Sequence, residues 1–146
     1  MSRPPIEIET APNPTATVIV MHGLGADGND FVPIANELDL SPVGPVRFVF
    51  PNAPVMPVTI NGGYRMPAWY DIALPDLAAQ EDEAGLRRSQ ATIEAIIASE
   101  KARGIAAERI AAARGTTGSC RPWARNTGVS WLAAWRSAAV VAAIGR

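Results

Sequence analysis

The chain has very little cysteine and histidine. Cys120 is its single cysteine, which excludes an internal disulfide and a multi-cysteine metal site. His22 is its single histidine, which excludes a histidine-rich metal centre. We therefore expect neither a metal nor another cofactor.

Long apolar runs are also absent. No stretch approaches the roughly 20 apolar residues that span a bilayer, so we expect no membrane span. Residues 1–14 contain prolines and acids where a secretory signal would be apolar, which favours a cytoplasmic protein. A net charge of −1 over 146 residues points to no particular partner, and we expect no nucleic acid. A chain of this length and composition predicts one globular domain.

Acidic residues are missing from the last quarter of the chain. Residues 1–110 contain all 14 acids and eight of the 13 lysines and arginines, a net charge of −6. Residues 111–146 contain five arginines, ten alanines, three of the four tryptophans and no lysine or acid. Such an abrupt change predicts a domain over residues 1–110 and a tail of different character over 111–146.

Two short runs near the N-terminus predict strands, of which the first is β-branched and predicted to be buried on both faces. Residues 15–21 (TATVIVM) form the first run, and residues 46–50 (VRFVF) form the second. Between them, Phe31, Ile34, Ala35 and Leu38 have helical spacing, with Asn29 or Asp30 available as the N-cap.

The next 60 residues predict one irregular segment and one long helix. Residues 51–68 carry four prolines and the Asn61-Gly62-Gly63 turn signal, which predicts little regular structure. Residues 86–103 have an apolar face at 3–4 residue spacing and end before Gly104, a natural helix stop. After Ile110 another buried strand is due, but the alanine- and glycine-rich residues 111–118 predict a poor one. The alternation of strands and helices is typical of an α/β protein.

A glycine-rich turn, HGLGADG, follows the first strand directly. Its glycines match the dinucleotide pattern G-x-G-x-x-G as letters, but a lone match is weak, and no acid ends the second strand to bind a ribose. Asp27 and Asp30 would also face the phosphates. The alternative is an oxyanion hole, in which backbone N–H groups stabilise the negative oxygen of a tetrahedral intermediate.

Three colinear motifs over residues 6–110 resemble one family. VIVMHGLGADGNDF, RFVFPNAP and PVTINGGYRMPAWYDI are similar to the carboxylesterase/acyl-protein thioesterase (phospholipase/carboxylesterase) family of small serine hydrolases. The resemblance implies the N-terminal half of an α/β-hydrolase fold, three-layered with a mostly parallel sheet and truncated here. It implies a small ester or thioester substrate and is compatible with a homodimer.

The resemblance also assigns roles within the glycine-rich turn. It implies that the Leu24 backbone N–H is an oxyanion donor and that His22 and Gly23 shape the loop. His22 would not be the general base, which in this family lies near the C-terminus. From the residues alone, His22 is equally a structural histidine at the end of a strand.

Further along the chain, the resemblance implies that Trp69 and Tyr70 border the acyl site and that Asp71 ties the irregular segment down. The structural alternatives remain open here. Trp69 and Tyr70 could serve as ordinary packing residues, and Asp71 as a hydrogen-bond acceptor with no part in the reaction.

The catalytic triad cannot be identified in this sequence. The nucleophile motif G-x-S-x-G is absent: Gly128-Val129-Ser130 begins it but continues into Trp131. No acid follows Glu108 and no histidine follows His22. We therefore expect the chain as written to be inactive; the alternative is a non-catalytic binding or interaction protein that reuses the half-fold.

The composition of the tail suggests a shifted reading frame. Codons for residues 129 onwards, when read from the third base of the Val129 codon, can encode Leu-(Leu/Met)-Ala-Gly-x-Met-Ala-Leu-Ser-Gly. This sequence resembles the family's next buried strand. We hypothesise a frameshift near residues 111–118. Two alternatives are a genuine divergent C-terminus and a membrane-associating helix over residues 129–145, which at 17 residues is short for a span.

Sequencing of the coding DNA tests the frameshift hypothesis. We expect the alternative frame downstream of codon 111 to encode the family's strand and its G-x-S-x-G motif. A single intact frame with no family-like alternative would contradict it.

Overall fold

The computed structural model describes residues 3–72, 82–114 and 130–132, which form a mixed sheet with a small hairpin beside it. The strands and helices, in chain order, are β1 (Ile6–Glu9), β2 (Ala16–Met21), α1 (Ile34–Glu37), β3 (Val46–Phe50), β4 (Val55–Val58), β5 (Tyr64–Pro67), α2 (Glu83–Ala102), β6 (Ile110–Arg114) and β7 (Ser130–Leu132). The sheet has the order β1-β3-β2-β6-β7, and β4 pairs with β5 separately.

Most neighbours in the five-stranded sheet run parallel. Strand β2 pairs in parallel with β3 and with β6, whereas β1 runs antiparallel to β3. This mostly parallel sheet with helices confirms the predicted α/β class. The carboxyl ends of β2, β3 and β6 meet at one edge, which is where ligands bind in such sheets.

Both faces of the central strands are buried. On one face, Val18 and Phe48 belong to a cluster that packs with residues of α1. On the other, Ile19 and Val49 pack with Ile93 and other residues of α2. Continuous β-branched runs suit strands covered on both sides, because neither face meets water. The prediction for residues 46–50 is confirmed, and the predicted strand over 15–21 begins one residue later.

Strand β6 corrects the expectation of a poor strand after Ile110. Its residues pair with β2 from Thr17↔Ile110 to Met21↔Arg114. Ile110, Ala111 and Ala112 are fully buried. Alanine has low strand propensity, but the hydrogen bonds offered by β2 and burial of the segment decide its conformation.

The helix predicted after the glycine-rich turn is divided into two short pieces. A 3-10 helix spans Gly28–Phe31 with Asp27, not Asn29 or Asp30, as its N-cap, and α1 has only four residues. In a continuous helix the Pro33 ring would clash with the carbonyl of Asn29, four residues earlier. Here that carbonyl accepts a hydrogen bond from the Val32 N–H at 3.3 Å.

The segment predicted to lack regular structure contains a hairpin. Strands β4 and β5 pair antiparallel from Val55↔Pro67 to Val58↔Tyr64. The predicted turn at Asn61-Gly62-Gly63 is confirmed, because Gly62 and Gly63 have φ of +68° and +80°. Pro57 is tolerated because this two-stranded sheet consists of edge strands.

Helix α2 confirms the predicted long helix and begins three residues before the expected start. Asp82 caps it by accepting a hydrogen bond from the Gly85 N–H at 3.0 Å. Gly104, with φ of +98°, ends it. Its buried residues include Ser89, Ile93 and Ile97, so the predicted apolar face packs on the sheet.

A buried ion pair joins α2 to the sheet. Glu100 Oε1 lies 3.0 Å from Arg47 Nε, and Glu100 Oε2 accepts a hydrogen bond from Thr17 Oγ1 at 2.8 Å. Arg47 also pairs with Glu7 at 2.7 Å and with Glu9 at 3.2 Å. Burial lowers the pKa of the Arg47 guanidinium, but Glu7 and Glu100 raise it by more, so its pKa lies above the ordinary value.

Most of the tail lies outside the described residues. The frameshift near residues 111–118 and the division at residue 110 stay predictions. The membrane-associating helix over residues 129–145 is wrong at residues 130–132, which form the strand β7, and its other residues lie outside the described ones. The three residues of β7 pair in parallel with β6. No helix among the described residues is long and apolar enough to cross a membrane.

Replacement of Glu100 tests the buried ion pair. We expect Glu100→Gln to lower the free energy of unfolding by about 3 kcal/mol, because Arg47 stays buried without Glu100, the buried one of the three carboxylates that pair with it. Urea denaturation measures the loss. Glu94→Gln, on the exposed face of the same helix, should change the value by less than about 0.5 kcal/mol. Equal losses in the two variants would contradict the role of the pair.

Candidate functional site

A tight turn follows the carboxyl end of β2. The Ala26 N–H donates to the Gly23 carbonyl at 3.2 Å, and Gly25 has φ of +77° while Leu24 does not have positive φ. These features define a type II β-turn with Leu24 and Gly25 as its central residues. Only glycine, or occasionally asparagine, adopts the second central position without strain.

The backbone N–H of Leu24 is left free by this turn. A type II turn uses the N–H of its fourth residue, here Ala26, and not that of its first central residue. Within residues 3–72, 82–114 and 130–132, no hydrogen bond engages the Leu24 N–H. Leu24 is 42% exposed. The turn therefore presents an available donor at the edge of the sheet where ligands bind.

The hairpin holds the turn from the side. The Gly25 N–H donates to the Pro67 carbonyl at 3.0 Å. A Cβ at Gly25 would lie 3.6 Å from the Met66 sulfur, so the strand and the turn are in close contact. The position of the turn thus depends on β5.

His22 lies beneath the turn and is 1% exposed. Its Nδ1 is 2.8 Å from the Gly23 carbonyl oxygen, and its Nε2 is 3.0 Å from the Ala53 nitrogen. Because the Ala53 N–H must donate, Nε2 is the acceptor and Nδ1 carries the proton. Burial lowers the pKa of His22 below 6.5, so the ring is neutral. With both nitrogens engaged, this imidazole has no lone pair available for a general base.

Trp69 connects His22 to the rest of the fold. Its indole Nε1 donates to the His22 carbonyl at 2.9 Å, and the two ring centroids are 5.2 Å apart. Trp69 is buried, whereas Tyr70 is half-buried. The structure therefore brings together the predicted residues His22, Gly23, Leu24 and Trp69, with Tyr70 next to Trp69 in the chain.

Asp71 holds the start of the hairpin turn. Its two carboxylate oxygens accept hydrogen bonds from the Thr59 N–H at 2.8 Å and the Thr59 hydroxyl at 2.6 Å. The side-chain and backbone hydrogen bonds from Thr59 lower the pKa of this carboxyl. In the same place the Ile60 N–H donates to the Ile72 carbonyl at 2.8 Å. Asp71 therefore ties the segment down as a hydrogen-bond acceptor.

The sequence analysis did not identify Asn52, which supports the far end of the loop. Its Oδ1 accepts the Gly28 N–H at 2.8 Å, and its Nδ2 donates to the Pro4 carbonyl at 2.9 Å. A Cβ at Gly28 would lie 2.8 Å from the Phe50 carbonyl oxygen, so only glycine fits there. The available signal was a polar residue two positions after the second strand, at the same sheet edge as the turn.

Among the described residues, no hydroxyl or thiol is paired with a histidine ring. The only histidine of the sequence has both nitrogens engaged, and the Gly118-Ser119-Cys120 segment lies outside the described residues. In the part of the chain that the structure describes, no group of three His, Cys, Asp or Glu residues could hold a metal. The turn can polarise a carbonyl, but these residues supply no group to attack it.

The buried, neutral His22 predicts a specific dependence of stability on pH. Below about pH 6.5, His22 binds a proton in the unfolded chain. In the folded chain His22 binds it only at a lower pH, because its pKa is lowered there. We therefore expect the free energy of unfolding to fall as the pH drops below about 6.5, by at most about 1.4 kcal/mol per pH unit.

Urea denaturation between about pH 8 and pH 5 measures this dependence. His22→Gln, which does not titrate in this range, is the control and should remove most of the slope. Carboxylates with lowered pKa, such as Asp71, affect stability only near and below their ordinary value of 3.8. Equal slopes in both proteins would contradict the buried neutral ring.

Known proteins share this fold and these motifs. A sequence model described as phospholipase/carboxylesterase matches residues 5–113. Acyl-protein thioesterase 1 of Mycosarcoma maydis is 48% identical over 89 residues, which are 60% of this chain and 37% of that protein. Acyl-protein thioesterase 1 of Schizosaccharomyces pombe is 45% identical over 96 residues, 66% of this chain and 42% of that protein.

Solved structures give the same result. The crystal structure of Arabidopsis thaliana SOBER1 superposes with a TM-score of 0.63 at 29% identity, covering 68% of this chain and 48% of that one. The chain thus spans less than half the length of these relatives. The family model covers most of the chain, as the three motifs predicted, and the chain belongs to the phospholipase/carboxylesterase family of α/β-hydrolases.

Proposed function

We propose that residues 1–110 are the carbonyl-polarising half of a serine hydrolase that cleaves carboxylic esters or thioesters. The observation that carries this proposal is the N–H of Leu24, which no described residue engages, in a type II turn at the carboxyl end of β2. Membership of the family supports the reaction class. The names of the acyl-protein thioesterase relatives support thioesters as substrates.

The turn is suited to stabilise a tetrahedral intermediate. When a nucleophile adds to an ester or thioester carbonyl, negative charge develops on the carbonyl oxygen. A donor that is already oriented stabilises this charge without any reorganisation, and loss of one such donor costs about 10²–10³ in rate. Leu24 supplies the donor, while His22 and Gly23 shape the backbone that carries it.

Trp69 and Tyr70 border the acyl site in this proposal. Tyr70 is half-buried and follows Trp69 directly, so its side chain is the more accessible of the two to an acyl group. Trp69 is 3% exposed and contributes by holding the carbonyl of His22. The reaction uses no metal or other cofactor, because the acyl carbonyl is activated by hydrogen bonding alone.

We further propose that the chain as written is inactive, because its sequence has no G-x-S-x-G motif and no histidine beyond His22. The same absence favours one alternative, a binding protein that holds a small ester or thioester without cleaving it. Cytoplasmic location, self-association as a homodimer and the absence of a nucleic-acid partner stay predictions.

A chimera tests the role of Leu24. Residues 1–113 are joined to the part of the Schizosaccharomyces pombe relative that follows its matched segment, and hydrolysis of p-nitrophenyl acetate is measured. Leu24→Pro removes the N–H at a turn position that proline readily occupies. We expect it to lower kcat by about 10²–10³, whereas Leu24→Ala, which keeps the N–H, stays near the parent chimera.

The 146-residue chain alone is the baseline of this experiment, and we expect no turnover above buffer. Turnover that a serine-directed fluorophosphonate abolishes would contradict the proposed inactivity. A folded chimera without turnover, or equal activity of Leu24→Pro and Leu24→Ala, would contradict the oxyanion role. Saturable binding of the ester by the chain alone, without turnover, would favour the binding protein.

A further inference from the structure

Helix α2 carries a hydroxyl that bonds outside its own helix. Ser89 is 2% exposed, and its Oγ donates to the backbone carbonyl of Trp69. A serine inside a helix ordinarily bonds to the carbonyl four residues earlier or points to water. On the same helix Thr92 follows this ordinary pattern, since its hydroxyl bonds to the Arg88 carbonyl at 3.2 Å. Ser89 is therefore used to hold another segment.

That segment, residues 69–71, is held by the start of α2 at two further points. Asp82 Oδ2 accepts the Asp71 N–H at 2.9 Å. Gly85 has no side chain, and a Cβ there would lie 3.2 Å from the Tyr70 Cα. The close approach lets the helix pack against the backbone of the segment. Its first two turns thus fix the backbone of residues 69–71.

The same segment reaches the candidate oxyanion turn. Trp69, whose carbonyl Ser89 holds, donates its indole N–H to the His22 carbonyl at 2.9 Å. The peptide group that contains this carbonyl leads directly into Gly23, the first residue of the turn. Two hydrogen bonds therefore connect α2 to the turn: Ser89 to Trp69, and Trp69 to His22.

We infer that Ser89 is a positioning residue for the oxyanion turn, acting through Trp69 and His22 on the Leu24 N–H. The functional meaning of this inference rests on the proposed function, because the orientation of the Leu24 N–H matters only if it binds a substrate carbonyl. The coupling itself rests on geometry. All three connected residues are at most 3% exposed, so water does not readily replace the hydrogen bonds between them.

Nuclear magnetic resonance of the full 146-residue chain labelled with ¹⁵N reads this coupling directly. His22 is the only histidine, so its ring signals need no further assignment. The Trp69 indole signal is identified by its loss in Trp69→Phe. In the parent we expect a ring that is neutral at pH 8, with its proton on Nδ1, and that titrates below the ordinary value of about 6.5. A ring that titrates near pH 6.5 would overturn the inference, because the connected arrangement would then not exist.

Replacement of Ser89 by alanine is the central test. We expect Ser89→Ala to shift the signals of the His22 ring and the Leu24 amide. Hydrogen exchange of the Trp69 indole should become about tenfold faster, which corresponds to the loss of one hydrogen bond. Thr92→Ala on the same helix is the matched control and should leave all three signals unchanged. A merely structural role of Ser89 would lower stability without moving the signals of Leu24.

Trp69→Phe keeps the test decisive if Ser89→Ala does not fold. It cuts the second hydrogen bond only, and we expect it to shift the His22 ring and the Leu24 amide. Unchanged signals in either folded variant would overturn the inference. These spectra do not depend on hydrolysis. An inactive chimera would therefore not contradict the coupling of Ser89 to the turn, and unchanged spectra would not contradict the role of Leu24 as an oxyanion donor.

Discussion

The imidazole of His22 is the point on which the geometry of the site depends. A neutral imidazole has one donor and one acceptor, and here Gly23 and Ala53 satisfy both, while Trp69 engages the backbone carbonyl. Burying a polar ring costs little when each of its groups is paired. The ring can therefore join the turn after β2 to the loop after β3 inside the protein, where an unpaired or charged ring would be expelled.

The position of Leu24 explains how one donor can remain unpaired in a well-ordered loop. A buried N–H without a partner costs about 1–3 kcal/mol, but the N–H of an exposed turn bonds to water in the folded protein. The Gly25 conformation and the hydrogen bond from the Gly25 N–H to the Pro67 carbonyl hold the turn in place. The donor is thus oriented by backbone contacts while remaining available at the surface.

Local sequence patterns were sufficient to predict elements whose conformation depends on nearby residues or on a continuous apolar run. Strand β3 and helix α2 were predicted for this reason, and Gly104 marked the end of the helix. Strand β6 was not predicted, because Ala111 and Ala112 become strand only through pairing with β2. The ion pair of Arg47 with Glu100 joins residues 53 positions apart, and no local pattern indicates such a partner. The motif pointed to the turn, but not to the supports supplied by Asn52 and Ser89.

The register of the sheet shows where the missing chemistry would have to come from. Strands β2 and β6 are parallel neighbours, and Met21 pairs with Arg114 at their carboxyl ends. Arg114 therefore lies at the same edge of the sheet as the turn that begins at Gly23. A nucleophile at this edge would lie near a carbonyl held by Leu24, as the proposed reaction requires. In the proposed function, residues 1–110 orient the acyl group, and the group that attacks it has to come from elsewhere.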